Sequence, residues 1–592
     1  MSAPVGVLGT AAVALAQPPA GPLRGEAPPG SDAGQSVANG VTAATFAAAE
    51  RLVEVTLAPA QRKQAAETWT TTMGGLMARR IGPGALHLEE SLAPASVWHP
   101  LEEAGAIPRD GPARHDLFVR STIDPAPLPG RDEDIAHAPV HRLSHWIETR
   151  TLSSERLTRI YLDRIGRFDA RLRAFITVTA DHALAQARRA DHEIGIGRYR
   201  GPLHGMPYGV KDLLDTAGIA TTWGAEPLRD RVPAVDAVAV ARLDAAGAVL
   251  LGKLSLGALA LNDIWFGGQT MNPWLPQEGA SGSSAGPGAA TAAALVAFSI
   301  GSETGGSIVS PSMRCGVTGL RPTYGRVART GAMTLCWSLD KLGPMTRSVE
   351  DAMLVLRAIS GPDEGDVASV AATLRFNAGA GVKGLKVGYV PGWMAEDPAT
   401  DVDRAALALL PSLGLVPVPI NLPDWPYQAL DTILFAESAA AFEDWVADGR
   451  LALLRMQSVD AWPNTFRQAR FLSAVDLVQA ERLRRKVAQE MARVMAGVDV
   501  LLVPSLRNEM LTISNHTGHP SLTLRTGSIE VSEARSDWAA DPAHPLPRFA
   551  PPRRVPHGVT LIGRLFDEGT LARVGMALER AAGVAAQRPP EF

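Results

Sequence analysis

Apolar residues recur along this chain in two rhythms: a helical spacing, and short unbroken runs. Phe46, Ala49, Leu52 and Val53 fall on one face of a helical repeat that runs from residue 41 to about 81. Residues 143–165 and the longer stretch 464–495 carry the same spacing. Ser348 opens the clearest helix. Its hydroxyl can cap free backbone N–H groups, and Asp351 stands three residues on. Val349, Ala352, Met353, Leu356 and Ile359 then form one apolar face, and Gly361-Pro362 stops it. Compact apolar runs at 248–251, 294–300, 385–390 and 498–503 read as buried strands. The run at 294–300 ends on Gly301 and so feeds a glycine-rich turn. Alternation of this kind predicts an α/β body with a central sheet flanked by helices. No internal repeat interrupts it.

The rhythm weakens towards the N-terminus. Residues 1–38 are rich in Ala, Gly, Pro and Ser and read as a leader or linker. Residues 5–15 are apolar and Ala14-Leu15-Ala16 resembles the cleavage site of an export signal, but no Lys or Arg precedes Arg24. Localisation therefore stays open between the cytoplasm and export to the periplasm. Residues 39–139 form a helical and then loop-rich extension, expected to support the body as an arm, and 140–592 form the main domain.

Composition removes several function classes. The chain has 592 residues, 46% hydrophobic and 20% charged, with a net charge of −4. Its basic residues are scattered among acids without a run or stripe, so no nucleic-acid partner is expected. No apolar run reaches the roughly 18 residues that span a bilayer. Cys315 and Cys336 are the only cysteines, which excludes a disulfide framework and a Cys-rich metal site. They read as two small buried thiols.

Three segments carry candidate chemistry. Pro202-Leu-His-Gly-Met-Pro-Tyr-Gly-Val-Lys211-Asp212 places one of few lysines after an apolar, Gly-rich stretch. Burial there disfavours the ammonium and leaves a neutral amine able to act as a base near pH 7. Ala280-Ser-Gly-Ser283-Ser284-Ala-Gly-Pro-Gly288 and Gly301-Ser-Glu-Thr-Gly-Gly-Ser307-Ile are the second and third. Neither has the Lys-Ser/Thr ending of a phosphate-binding loop. A serine hydroxyl attacks a carbonyl only once a base takes its proton. Lys211 through Ser283 could supply that base for Ser307. The small residues at Thr304-Gly305-Gly306-Ser307 would let their backbone N–H groups converge as an oxyanion hole.

These residues resemble the amidase-signature family. Its lysine, its serine with a cis peptide bond and its nucleophilic serine correspond to Lys211, Ser283 and Ser307, and the two serines are 24 positions apart (283 to 307), as in the family. The resemblance continues through Asn272-Pro-Trp-Leu-Pro, Cys315-Gly-Val-Thr-Gly-Leu-Arg-Pro-Thr-Tyr-Gly-Arg326 and Ser338-Leu-Asp-Lys-Leu-Gly-Pro344. It ends with Asn515-His-Thr-Gly-His-Pro520 and Leu561-Ile-Gly-Arg-Leu-Phe-Asp567, covering roughly 140–585. It implies a mixed central sheet flanked by helices and hydrolysis of a carboxylic amide through an acyl-serine, with no metal or organic cofactor. It also implies a small-molecule amide substrate, and it leaves a homodimer open. His204, Asp212, Tyr324, His516 and His519 lie in matched motifs and read as structural. The stretch at Trp265-Phe266 and the 505–560 region are expected to wall the substrate pocket.

The chain departs from the family's usual pattern around the serine loops. Ser281-Gly-Ser-Ser-Ala285-Gly-Pro287 stands where Gly-Gly-Ser-Ser-Gly-Gly-Ser is usual, Glu303 where Asp is usual, and Val309 where Arg is common. Ala285 and Pro287 limit backbone freedom, and Val309 removes a charge-assisted hydrogen bond. Three readings remain: a stand-alone amidase, an amidotransferase subunit that releases ammonia from glutamine, and a catalytically weakened protein that keeps the fold for binding.

Overall fold

The computed structural model describes residues 116–592 apart from 124, 125, 459, 470 and 471, together with 41–53 and a few positions between 58 and 96. The segment read as a leader lies outside the described residues. Two compact units divide the chain, Met1–Leu88 and Glu89–Phe592.

In the first unit, helix α1 (Ala43–Val53) is described. Phe46 and Ala49 are half-buried, as their shared face predicts, whereas Leu52 is 62% exposed. The helix is held instead by a polar tie, a bidentate ion pair from Arg62 to the buried Glu50 carboxylate at 2.7 and 2.8 Å.

The second unit is α/β, built on one mixed sheet of eleven strands. In chain order these are β1 (Phe175–Val178), β2 (Pro207–Lys211), β3 (Val249–Leu254), β4 (Phe298–Glu303), β5 (Thr318–Arg321) and β6 (Lys341–Thr346). β7 (Lys386–Tyr389), β8 (Val416–Pro419), β9 (Val500–Pro504), β10 (Ser521–Glu533) and β11 (Arg548–Gly563) complete it. Across the sheet the order is β8-β7-β9-β11-β10-β5-β6-β4-β2-β3-β1. The β4-β2-β3 core is parallel, while β6 runs antiparallel to β4. β2, β3 and β4 are buried along their whole length, which is why they read as apolar runs rather than alternating ones.

The helices that matter to the site are α2 (Val140–Glu148), α3 (Ser154–Leu172), α4 (Ala285–Ala292), α5 (Val309–Cys315) and α6 (Val349–Ile359). After them come α7 (Asp431–Ala441), α8 (Trp462–Ala469), α9 (Ala474–Gly497) and α10 (Asn508–His516). In α6 the Ser348 hydroxyl accepts the Asp351 N–H, and Val349, Ala352, Met353, Leu356 and Ile359 are buried as the pattern predicts. The single helix expected at 143–165 is two, because Ser153 accepts the Arg156 N–H and starts α3 afresh. The helix expected at 464–495 is likewise α8 and α9, with Ser473 capping the second. The strand expected at 294–300 begins at Phe298. The residues before it are a buried turn, with Ala294 at φ +51° and the Leu295 N–H bonded back to Ala290.

Within the second unit, the described residues just before the main domain pair with it. Leu117–Val119 pairs in parallel with Arg375–Asn377, and Ser121 donates through its N–H and hydroxyl to the Glu350 carboxylate. β10 and β11 continue beyond the sheet as a long two-stranded ribbon. The loop joining them returns to the body, where Arg535 pairs with Glu278, Asp537 with Arg314, and the Trp538 indole donates to Asp263. Both cysteines are free and buried.

Candidate active site

Lys211 is the last residue of β2, and Ser302 and Glu303 end the neighbouring parallel strand β4. Carboxyl ends of parallel strands are where open α/β sheets gather ligand-binding residues. Val210 and Ile300 are in register, which brings the Lys211 side chain level with Ser302.

Lys211 has no exposed surface. Its Nζ lies 2.7 Å from Ser283 Oγ, 2.8 Å from Ser302 Oγ and 3.1 Å from Ser284 Oγ. Burial holds its pKa well below the ordinary lysine value, against the opposing pull of the Asp340 and Glu303 carboxylates. A neutral amine has two N–H donors and one lone pair, so the three hydroxyls must divide these roles. Ser284 Oγ already donates to the Ser302 carbonyl at 3.0 Å and accepts the Ser302 N–H at 3.1 Å, so towards Lys211 it can only accept. Ser283 and Ser302 then share the remaining N–H and the lone pair. If Ser302 takes the N–H, the lone pair points at the Ser283 proton. Sequence reasoning singled out Ser283 and missed Ser302. Its cue is the register: a hydroxyl at the end of the strand beside Lys211.

Ser283 sits in the loop before α4, and the Gly282–Ser283 peptide bond is cis. Only glycine fits at 282, because a Cβ there would run into the Asn262 carbonyl. The departures at 285 and 287 do not bend this loop. Ala285 is the first residue of α4 and Pro287 lies in its first turn, where a missing N–H costs no helical hydrogen bond.

Ser307 is half-buried and Gly305 is exposed, so the third serine faces the outside while Lys211 and Ser283 are closed in. Two bonds stitch its turn to the Ser283 loop. The Ser284 N–H donates to the Ser307 carbonyl at 3.1 Å, and the hydroxyls of Ser281 and Ser310 meet at 2.5 Å. The backbone N–H groups of Gly305, Gly306 and Ser307 donate to no protein acceptor among the described residues. Gly306 has φ +129°, a conformation open to glycine. The Thr304 hydroxyl donates to Asp340 at 2.6 Å and pins the near end of the turn.

Beyond the turn, α5 begins at Val309. The Glu303 carboxylate accepts the N–H groups of Ile308 (2.7 Å) and Val309 (2.9 Å), so the loop is tied by a carboxylate from β4 rather than by an arginine at 309. Two leucines stand over the glycines. Leu434 on α7 lies 4.0 Å from where a Cβ on Gly305 would sit, and Leu511 on α10 lies 3.9 Å from the same point on Gly306. Leu511 falls in the region expected to wall the pocket; Leu434 was not foreseen. Trp265 and Phe266 pack edge to face, Trp265 buried and Arg229 over the Phe266 ring.

The other matched residues have structural partners. His204 Nδ1 meets the Arg200 N–H and its Nε2 meets Glu193. Asp212 accepts both the N–H and the hydroxyl of Thr222, and the Tyr324 hydroxyl donates to the Trp337 carbonyl. His516 and His519 are buried, which pushes both pKa values down to about 3 and keeps the rings neutral at physiological pH. Among the described residues, no helix is long and apolar enough to cross a membrane, and no group of His, Cys, Asp or Glu is arranged to hold a metal ion.

Comparison with known proteins places this geometry. The Amidase family model matches residues 156–572. The putative amidase AmiD of Mycobacterium tuberculosis is 36% identical over 489 residues, covering 79% of this chain and 99% of that protein. A glutamyl-tRNA(Gln) amidotransferase subunit of Moorella thermoacetica is 34% identical over 490 residues, covering 77% and 99%. Among solved structures, the native peptide amidase of Stenotrophomonas maltophilia superposes with a TM-score of 0.66 at 30% identity, covering 77% of this chain and 98% of that one. The match spans the sheet, both serine loops and the C-terminal helices, and on it the chain belongs to the amidase-signature family.

Proposed function

We propose that this protein is an amidase that hydrolyses a carboxylic amide through an acyl-serine intermediate, with Ser307 as nucleophile, Ser283 as proton relay and Lys211 as base. The observation that carries this reading is the buried Lys211 amine, 2.7 Å from Ser283 Oγ and without a carboxylate in hydrogen-bond contact. The reaction begins with the lone pair of Lys211 drawing the Ser283 proton while Ser283 draws that of Ser307. Ser307 Oγ adds to the amide carbonyl, and the oxyanion falls to the N–H groups of the 304–307 turn. One such donor is worth about 3–4 kcal/mol in the transition state. The proton returns along the same path to the leaving amine, the C–N bond breaks, and water then cleaves the acyl-Ser307 ester to give a carboxylic acid. The scheme draws on no cofactor.

The test is covalent labelling with a fluorophosphonate combined with turnover on a panel of amides, esters and carbamates read by mass spectrometry. We expect one label per chain and hydrolysis of at least one amide, both abolished in Ser307→Ala, with a loss of roughly 10⁴-fold or more. A Ser307→Ala protein that still turned over would sink the assignment. The identity with the amidotransferase subunit favours a second reading, a glutaminase working in a complex. Recovery of a stable complex with partner proteins, and ammonia release from glutamine, would select it.

A further inference from the structure

Glu303 is fully buried at the end of β4 and makes four hydrogen bonds, two through each oxygen. Oε2 accepts the N–H groups of Ile308 and Val309, directly after Ser307. Oε1 accepts from the Arg321 guanidinium at 2.5 Å and from Asn515 Nδ2 at 3.0 Å. One carboxylate thus joins four elements: β4, α5, β5 and α10. Asn515 also donates to the Leu511 carbonyl, so the same clamp reaches the leucine beside Gly306.

We propose that Glu303 is a positioning residue for the 304–307 turn, holding Ser307 and its neighbouring N–H groups in the orientation that receives the oxyanion. This inference rests on the reading of Ser307 as nucleophile. The physical reason is over-determination. The turn has two glycines and an exposed tip, and its carbonyls are held at Gly306 by the Ser310 N–H and at Ser307 by the Ser284 N–H. Its two ends are pinned by Thr304 to Asp340 before Ser307, and by the Glu303 carboxylate after it. Arg321 is anchored in turn by donating to the His519 carbonyl at 2.7 Å, so the carboxylate cannot follow the turn outward. Burial works against the charge of Glu303, but Arg321, the Val309 N–H and Lys341 together bring its pKa below the usual carboxylate range. It therefore stays an acceptor on both oxygens at neutral pH.

A glutamine has one acceptor oxygen and can satisfy only one side of the clamp. An aspartate keeps both oxygens but is one methylene shorter. The experiment compares Glu303→Gln, Glu303→Asp and Ser307→Ala in the full chain, measuring kcat, KM, melting temperature and the rate of fluorophosphonate labelling. Glu303→Gln is expected to lower kcat about 100-fold, the cost of displacing a reacting group by an ångström or so. KM should stay within about threefold and labelling should slow in parallel. Glu303→Asp should recover part of the rate. A pH profile separates positioning from simple loosening. The carboxylates facing Lys211 are Glu303 and Asp340, and the cations facing Glu303 are Arg321 and Lys341. Removing the Glu303 charge lowers the Lys211 pKa further, so the acid limb of kcat/KM should move down by roughly a few tenths of a unit. The idea is overturned if folded Glu303→Gln keeps the parental kcat and labelling rate while Ser307→Ala is dead, or, should that variant not fold, if folded Glu303→Asp keeps the parental kcat. It is also overturned if the whole loss appears in KM. Should Ser307→Ala itself remain active, the fault lies in the nucleophile assignment instead.

Discussion

Two buried lysines stand side by side in this molecule, and their surroundings differ in one respect. Lys211 on β2 and Lys253 on β3 are both fully buried, on strands paired in parallel. Lys253 donates to the Leu214 carbonyl and the Thr221 hydroxyl and lies 3.4 Å from the Asp212 carboxylate. Burial pulls its pKa down and the Asp212 charge pulls it back up. Lys211 has hydroxyls where Lys253 has a carboxylate. The same residue type at the same depth thus becomes half of an ion pair on one strand and an amine held among hydroxyls on the next. On the proposed reading, what sets Lys211 apart from Lys253 is burial among hydroxyls with no carboxylate in hydrogen-bond contact.

Exchanging each lysine for methionine breaks the comparison most directly. Lys211→Met should reduce kcat by roughly 10³-fold or more, the loss of a general base and its relay, with the denaturation midpoint nearly unchanged. Lys253→Met should do the reverse. It strands the Asp212 carboxylate and should lower stability by roughly 3–5 kcal/mol in chemical denaturation, while activity per folded molecule changes little. Equal losses of activity in the two variants would mean that the strands do not divide the roles as described. Ser283→Ala should be milder than Lys211→Met, roughly 10²-fold in kcat, because a water in place of the hydroxyl can carry the proton. A loss equal to that of Ser307→Ala would show that no water takes that path. The pH profile gives the smallest and sharpest test. The proposed working form of Lys211 is the neutral amine, so kcat/KM should fall as acid protonates it, at a pH well below the ordinary lysine pKa. An acid limb close to the ordinary lysine value would put Lys211 in the class of solvated lysines and sink the base assignment.

Much of this was legible in the sequence, and the boundary has a physical origin. α6 was readable because its cap, apolar face and stop lie within about fifteen neighbouring positions. Lys211, Ser283 and Ser307 drew notice in the sequence because each stands in a distinctive local motif and the motifs come in a fixed order. The breaks between α2 and α3 and between α8 and α9 were missed although Ser153 and Ser473 are cap residues, since helical spacing resumes on either side of each. The early start given to β4 has a similar cause. A buried turn and a buried strand are equally apolar, and only the hydrogen bond from Leu295 back to Ala290 tells them apart. The roles of Ser302 and of Glu303 lay beyond local reading, although Glu303 itself stood out in the sequence. Their partners at Lys211, Arg321 and Asn515 arrive through strand pairings and a helix far away in the chain.

The placement of Leu434 and Leu511 has a consequence for how such a scaffold can diversify. The reacting groups hang from the ends of β2 and β4 and from loops stitched to each other, so a change in one loop is felt by the other. The leucines over the glycines belong to two helices, and their side chains form no part of the Lys211 hydrogen-bond network. A substitution at 434 or 511 can reshape what lies over Gly305 and Gly306 while leaving that network as it is. On the proposed reading, selectivity can therefore drift through the two helices while the reaction is kept by the loops.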